Sequence, residues 1–579
     1  MMEFKDIKTE DDLKQLVIRD WGYESTGDRN TGIVLDQEIQ DKILDQKVIA
    51  QYKNFQIWYF KLDEAQRTSH QKIDGFLRIT EREIIGKVDK LNRNTKLFVF
   101  SSQNGDYWHF VNALPTVQIN LRRFSIEPDN RNKLRTTCEQ LNKIKIDKND
   151  NLQDIIEKHK KAFDVEEVTT KFFRQFANHF SELMALISNI KKGVDQKEIS
   201  DTSQVILNRL IFLKFIEKKG WLNGDVDYLY NKFQNYYDDK SLYWNEIIRP
   251  LFDLLSTPHK NPDKKLGKIP FLNGGLFGHE PKDLWTLTIP NDYFESIFEN
   301  IFNRFNFTIE ESSPSSVEVA VDPEMLGRIF EALILTLEKS SDIEKDLRRA
   351  TGSYYTPRIV VFHMCRSAIA KSLSQKTDLS ELKIKQLIDV VIDDIPDEKQ
   401  VKDCSFSKVE AKALRDSVEK ISICDPAVGS GAFLLISLQI LVGLQRYLSL
   451  FITGSSKNDY NLKEEVISHN LIGIDILKQS VHICELRLWL SLAVDYEDKD
   501  IEKLPTLPNL TYKIFRGDSI VDYLQGYSFD YLEALRTEVI KPDPRTIQDL
   551  NSLKQLKDKY FGENNEEEKN KAWEKIERK

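Results

Sequence analysis

Cysteine is scarce in this sequence and nowhere paired. The five cysteines, Cys138, Cys365, Cys404, Cys424 and Cys484, include no Cys-x-x-Cys and have no histidine cluster beside them. That excludes a disulfide framework or a zinc site as the organising device and fits thiols kept in a reducing compartment. No apolar leader opens the chain, because "MMEFKDIKTEDDLKQ" is charged from its first turn. The most apolar run, "AFLLISLQILVGLQRYLSLFI" (432–452), is interrupted by Gln439, Gln445 and Arg446 and reads as a buried helix, with no membrane involved. A cytoplasmic protein is therefore expected. Positive charge is not in excess either: 83 basic residues face 92 acidic ones, for a net charge of −9. Bulk charge thus gives no argument for nucleic acid, although it leaves room for a local basic face.

What is present is an ordinary globular composition in a chain of 579 residues, too long for one hydrophobic core. The expected organisation is α/β and multidomain. Residues 1–130 read as a small α/β domain, with strands "FQIWYFKL" (55–62), "KLFVFSS" (96–102), "DYWHFVNA" (106–113) and "INLRRFSI" (119–126), and a helix between the first two. Residues 131–345 turn helical: Phe172, Phe173, Phe176, Phe180 and Leu183 recur at helical spacing, as do Leu207, Leu210, Leu213 and their neighbours, and both stripes read as core. From 346 to 579 strands and helices alternate, which argues for a parallel sheet flanked by helices.

The least ordinary stretch is "ICDPAVGSGAFLL" (423–435), a short strand, a turn with Gly429 and Gly431, and an immediate helix. Such a turn aims backbone N–H groups and a helix N-terminus at the edge of a sheet. On its own it is equally explained as a tight turn closing onto a helix. The Gly-Lys-Ser/Thr ending of a triphosphate loop is missing, and so is the three-glycine dinucleotide spacing. Asp425 instead sits in the turn, where it would repel a pyrophosphate but suit a cationic group such as an ammonium. Two further acids close strands, Asp475 in "LIGIDIL" and Asp518 in "FRGDSI". The first is placed to accept from ribose hydroxyls, the second from an exocyclic adenine amine.

With these residues on the page, the pattern resembles the S-adenosylmethionine-dependent DNA methyltransferases that act on adenine N6. "DPAVGSGAF" resembles their motif I, "ATGSYYTPRIVVFHMC" (350–365) their motif X, "GIDI" motif II and "GDSI" motif III, in the order of the gamma class. "FLNGGLF" (271–277) and "LGRIFEALI" (326–334) are similar to the helical connector of type IIG restriction–modification and phage-defence methylases. The resemblance covers roughly residues 165–579 and implies an incomplete Rossmann-like methyltransferase domain at the C-terminal end. It implies that Tyr355, Thr356 and Pro357 line the methionine end of S-adenosylmethionine, and that Asp425, Ala427, Gly429 and Gly431 hold the methionine moiety. It implies further that Asp475 binds ribose, Ile476 packs on the adenine and Asp518 reads its amine, with double-stranded DNA as the partner. Phe433 is expected to pack.

Family members grip the target base with an Asn/Asp-Pro-Pro-Tyr/Phe motif, which follows motif III. Downstream of Asp518 only "IKPDPRTIQD" carries two prolines, and they are separated with no aromatic after them. No catalytic residue is therefore assigned. The expectation is a chain that stops short of the motif and needs a longer parent or a second polypeptide for catalysis. The alternative is a non-catalytic subunit that contacts DNA or a partner and keeps a structural donor pocket. The resemblance also implies a metal-dependent nuclease fold at the N-terminus. There "FQIWYFKLDE" keeps Lys61 but has Tyr59 where an acid belongs, and Asp36, Glu38 and Asp63 lack the strand spacing, so an inactive or interaction domain is expected, with no metal ligand assigned. Arg122 and Arg123 are read either as a phosphate contact or as part of a solvated edge strand.

Overall fold

The computed structural model describes residues 6–67, 73–89, 92–113, 120–127, 135–236, 243–259, 262–272, 277, 287–308, 316–329, 356–392, 406–496, 504, 510, 513–520, 523–524, 527–528, 548, 552, 555 and 575. The whole 330–355 segment, Tyr355 included, and nearly all of the tail lie outside them, as does part of each of "FLNGGLF" and "LGRIFEALI".

The aromatic and β-branched runs near the N-terminus build one seven-stranded sheet in simple sequence order. Its strands are β1 (Glu24–Arg29), β2 (Ile43–Tyr52), β3 (Phe55–Leu62), β4 (Lys96–Ser101), β5 (Trp108–Ala113), β6 (Leu121–Ile126) and β7 (Ser316–Glu318). Pairing is antiparallel except for β3 with β4 and β6 with β7, which run parallel. The period of two sends alternate side chains into two cores. Phe55, Ile57, Tyr59, Leu97 and Val99 face one core. Trp58, Phe60, Phe98 and Phe100 face the other, where Phe76, Leu77, Ile84 and Ile85 of helix α2 (Ile73–Lys87) cover them. A short helix, α1 (Glu10–Lys14), precedes the sheet and is closed by a capping box between Thr9 and Asp12.

β6 is therefore not an edge strand. Val319 donates its N–H to the Arg123 carbonyl at 2.8 Å, and Ser125 donates its N–H and hydroxyl to the two oxygens of Glu318 at 2.8 and 2.9 Å. The edge-strand reading of the Arg122–Arg123 pair is corrected by this, and for Arg123 the phosphate reading as well. Arg123 is 1% exposed and donates to Glu81 Oε2 through Nε and Nη2 at 2.9 and 2.6 Å. Arg122 donates to the Phe163 carbonyl at 3.0 Å.

The expected helical stripes are realised in α3 (Val165–Ile190) and α4 (Gln196–Lys218), and Phe172, Phe176, Leu207 and Leu210 enter the same core as the sheet. Beyond 356 come α5 (Arg358–Ser374), α6 (Glu381–Val391), α7 (Lys408–Lys420), α8 (Ala432–Thr453), α9 (Asp459–Asn470) and α10 (Lys478–Asp495). Interleaved with them are β8 (Ile423–Asp425), β9 (Leu471–Asp475) and β10 (Ile514–Arg516), a parallel sheet in the order β10-β9-β8. Among the described residues α8 is the one helix long and apolar enough to cross a membrane, and it is mostly buried inside the protein.

Candidate functional site

Parallel pairing sets the C-terminal ends of β8, β9 and β10 along one edge, with Asp425 opposite Gly473 and Arg516 opposite Asp475. Asp425 and Asp475 each end a strand, and Asp518 follows two residues after β10. The order 10-9-8 has each new strand joining the same side, so the three acids fall in a row at the edge where ligands of open α/β sheets sit.

The turn between β8 and α8 is braced by its neighbours. Val428 donates to the Ile474 carbonyl at 2.8 Å, and Gly429 donates to Asp475 Oδ2 at 2.9 Å. Gly431 donates to the Val428 carbonyl at 2.8 Å. Its φ of +88° is a left-handed value that side chains rarely tolerate, and a Cβ there would come within 2.7 Å of Cys484 Sγ. From the other side Ser519 Oγ donates to the Pro426 carbonyl at 2.6 Å, and Gly517 donates to the Asp475 carbonyl at 2.9 Å. The sequence assigned Asp475 to a ligand. Its carboxylate also holds the loop, because Oδ1 accepts from the Leu477 N–H at 2.9 Å while Oδ2 takes Gly429.

Asp425 differs from its neighbours. Oδ1 accepts from the Ala427 N–H at 3.1 Å, but Oδ2 is buried with no hydrogen-bond partner among the described residues. Burial pushes the carboxyl up, the Asp475 charge pushes the same way, and the Ala427 N–H opposes them. A half-satisfied buried oxygen of this kind is costly unless a donor or cation meets it. Asp518 is exposed, and among the described residues it accepts only the local N–H of Ile520, at 3.0 Å. Ile476 is 59% exposed at the same edge, an apolar side chain with open surface above it.

Thr356 is half-buried and Pro357 exposed, and Pro357 opens α5 by accepting from Val360 and Val361. α5 lies along the start of α8, since Cys365 Sγ sits 3.6 Å from the Phe433 carbonyl and Ser437 Oγ 3.5 Å from Cys365 Sγ. Phe433 itself packs against the core, as expected. Tyr355 lies outside the described residues.

A second charged cluster was missed in the sequence. It lies on the neighbouring strand β2, not on the aromatic strand β3. Asp45-Gln46-Lys47 projects Lys47 Nζ to 2.8 Å from Asp45 Oδ2 and 3.0 Å from both oxygens of Glu10 on α1. Lys14 Nζ then joins Glu10 at 2.7 Å to Asp28 of β1 at 2.6 Å. Tyr59 stands opposite Lys47 in the register, and burial with the Glu10 and Asp45 charges raises its hydroxyl to about 12. Of the sequence candidates, Lys61 pairs in register with Asp45, Asp36 binds Lys87 and Asp63 caps a short turn. The Asp-x-Lys spacing on a strand was the signal available. Among the described residues no group of three or more His, Cys, Asp or Glu side chains is placed to hold a metal ion.

Residues 400–520, which contain the glycine turn and all three acids, match the protein family described as "MmeI, DNA-methyltransferase domain". The chain is 29% identical over 419 residues to a Methanocaldococcus jannaschii protein whose name describes a type II restriction enzyme and methyltransferase. The match takes in 65% of this chain and 34% of that relative, so the chain spans about a third of its length. A solved structure of the type IIL restriction-modification enzyme MmeI in complex with DNA shares 18% identity at a TM-score of 0.37, over 62% of this chain and 41% of that one. The sequence similarities are thus to restriction–modification methyltransferases, for which S-adenosylmethionine is the usual methyl donor.

Proposed function

We propose that the edge formed by Asp425, Asp475 and Asp518 binds S-adenosylmethionine, and that the chain supplies the donor half of a DNA adenine-N6 methyltransferase of restriction–modification or phage-defence type. The observation that carries this reading is Asp425 Oδ2, buried beside the glycine turn with no protein partner among the described residues. A carboxylate already pushed up by burial and by Asp475 gains most from a cation, and the methionine ammonium is one. Asp475, with lone pairs left after two N–H bonds, accepts from ribose hydroxyls. Ile476 lies against the adenine ring, and Asp518 accepts its exocyclic amine. Ala427, Gly429 and Gly431 shape the turn around the methionine end, and Tyr355, Thr356 and Pro357 close it from the α5 side. When bound, the donor supplies an electrophilic sulfonium methyl. This chain's residues fix its position.

The acceptor side is assigned elsewhere. No two prolines are adjacent in the 579 residues, so the motif that would hold a flipped adenine does not occur in them. In this reading a second polypeptide, or sequence beyond these residues, grips the base. Calorimetry tests the donor site: the chain should bind S-adenosylmethionine, and the Asp425→Ala/Asp475→Ala variant should not. Equal affinity in the two proteins would sink the assignment. If the pocket serves only as a structural element of a DNA-binding subunit, binding survives but no added polypeptide restores methyl transfer.

The β2 cluster favours a second activity for the N-terminal sheet. A strand Asp-x-Lys beside a helix-borne glutamate has the residue types of divalent-cation-assisted phosphodiester hydrolysis; here Lys47 occupies both carboxylates, so a cation would have to displace it before Lys47 could stabilise charge at a phosphate. Its measurement is magnesium-dependent cleavage of duplex DNA, lost in Lys47→Ala and Asp45→Ala. Cleavage that persists in both variants would rule it out.

A further inference from the structure

The glycine turn has a wall behind it that comes from two distant parts of the chain. Arg487 of α10 is 2% exposed and donates through Nη1 to the Ser430 carbonyl at 2.8 Å, with Ser430 Oγ at 3.5 Å from the same nitrogen. Helical residues 323–329 press on the same spot. A Cβ at Gly327 would lie 2.9 Å from Ser430 Cβ and Oγ and 3.2 Å from Arg487 Nη1, so only glycine fits there. Three residues earlier Glu324 pairs with Arg358 Nη1 at 2.5 Å, at the start of α5. Burial alone would raise the Glu324 carboxyl, but Arg358, Arg328 and Arg487 overcome it and hold it at about 2.

The peptide unit between Ser430 and Gly431 is the part of the turn most free to rotate, because Gly431 has no Cβ to oppose a flip. That planar unit is held at both ends. Its N–H donates to Val428 at 2.8 Å, and its C=O accepts from Arg487 at 2.8 Å. A flip would break both bonds and set the Ser430 carbonyl against the Val428 carbonyl, where the Gly431 N–H now donates.

We infer that Arg487 is a positioning residue for the glycine turn, locking the Ser430–Gly431 peptide against a connector wall made by Gly327 and Glu324. The inference rests on the proposed donor pocket for its functional meaning but not for its geometry. It also ties the turn to the start of α5 through Glu324, so both segments expected to touch the donor lean on one buried charge group.

The test uses the full chain as Arg487→Ala, Arg487→Lys and Gly327→Ala, each checked for folding by circular dichroism. Hydrogen exchange without ligand should speed up in peptides covering 427–433 in Arg487→Ala, while peptides from β3 to β5 stay as in the parent. Affinity for S-adenosylmethionine should fall on the order of tenfold, the scale of one buried bond to a charged donor. Arg487→Lys, which keeps one donor, should recover part of both effects. Gly327→Ala should reproduce them with every charge intact, and it carries the test if Arg487→Ala does not fold. Unchanged exchange in the turn, or an Arg487→Ala affinity equal to the parent's, overturns the inference. So does exchange that rises equally along the whole protein. If the parent itself does not bind S-adenosylmethionine, the proposed function fails. Exchange alone then decides the role of Arg487.

Discussion

Glu81, under the seven-stranded sheet, and Asp425, at the edge of the three-stranded one, are both acids with a buried oxygen, yet they are met differently. Glu81 is held by Arg123 through two bonds and by His109 Nδ1, and Asp74 stands 3.0 Å from the other nitrogen of His109. Arg78 reaches Asp74 at 2.7 Å and Glu318 at 3.9 Å, and Glu318 bonds Ser125. In that network each acid faces a base at close range: Asp74 Oδ1 and Arg123 Nη1 make no hydrogen bond among the described residues, but Asp74 Oδ1 still lies 3.0 Å from His109 Nε2. Asp425 Oδ2 has nothing comparable among the described residues. The difference shows how to tell a structural charge from a waiting one: burial alone does not distinguish them, but the state of each oxygen does.

The comparison can be broken most sharply by Arg123→Ala. Removing one partner leaves the Glu81 charge buried, and loss of about 3–5 kcal/mol in chemical denaturation is expected. A loss under about 1 kcal/mol would mean that the network is not closed as described.

pH offers a gentler probe of the same network. Burial opposes protonation of His109, but Glu81 and Asp74 win and raise it from 6.5 to about 9. Burial and the Asp74 charge raise Glu127 from 4.5 to about 8. Both groups hold their protons more tightly in the folded state, so their stabilisation is present at low pH and is lost as pH rises through the folded values. Stability should therefore fall slowly above about pH 4.5, where Glu127 alone contributes, and more steeply between about pH 6.5 and 9, by roughly 3–5 kcal/mol over that second range. Glu81 and Asp74 are held low and add no slope in this window. A flat or rising profile there would contradict the protonated network.

The smallest stability effect, and of opposite sign, belongs to Asp425→Asn. It keeps an oxygen for the Ala427 N–H while removing the unpaired charge. Ligand-free stability should stay level or rise by up to about 1 kcal/mol, as donor affinity collapses. A clear loss of stability without ligand would show that Asp425 is structural after all.

The sequence disclosed elements whose own residues declare them. β3 to β6 stood out because aromatic and β-branched side chains fill both faces, and β8 to β10 because short apolar runs end in an acid. β1 was missed because "ESTGDR" lies almost wholly exposed at an edge and has no apolar alternation to reveal it. β2 was overlooked beside the more apolar β3, and the search for Asp-x-Lys went to the wrong strand with it. Arg123 was misplaced because nothing near it in sequence announces β7, whose Glu318 bonds Ser125 across 193 positions. The acids of the donor edge were legible as a series, while the bracing of the turn by Asp475, Arg487 and Gly327 was not. Those contacts come from residues that share no local pattern with the turn.

β7 sets a timetable for folding. When the ribosome has made β6, that strand's outer backbone has no neighbour, and Ser125 and Arg123 wait for residues 318 and 319. At 5–20 residues per second, the 193 intervening positions take roughly 10–40 s to synthesise. For that interval the nascent chain presents a strand whose backbone is unpaired on the side away from β5, the kind of edge that invites pairing with other chains. Chaperone dependence during expression, and aggregation of fragments ending before residue 316, follow from where the last strand is encoded.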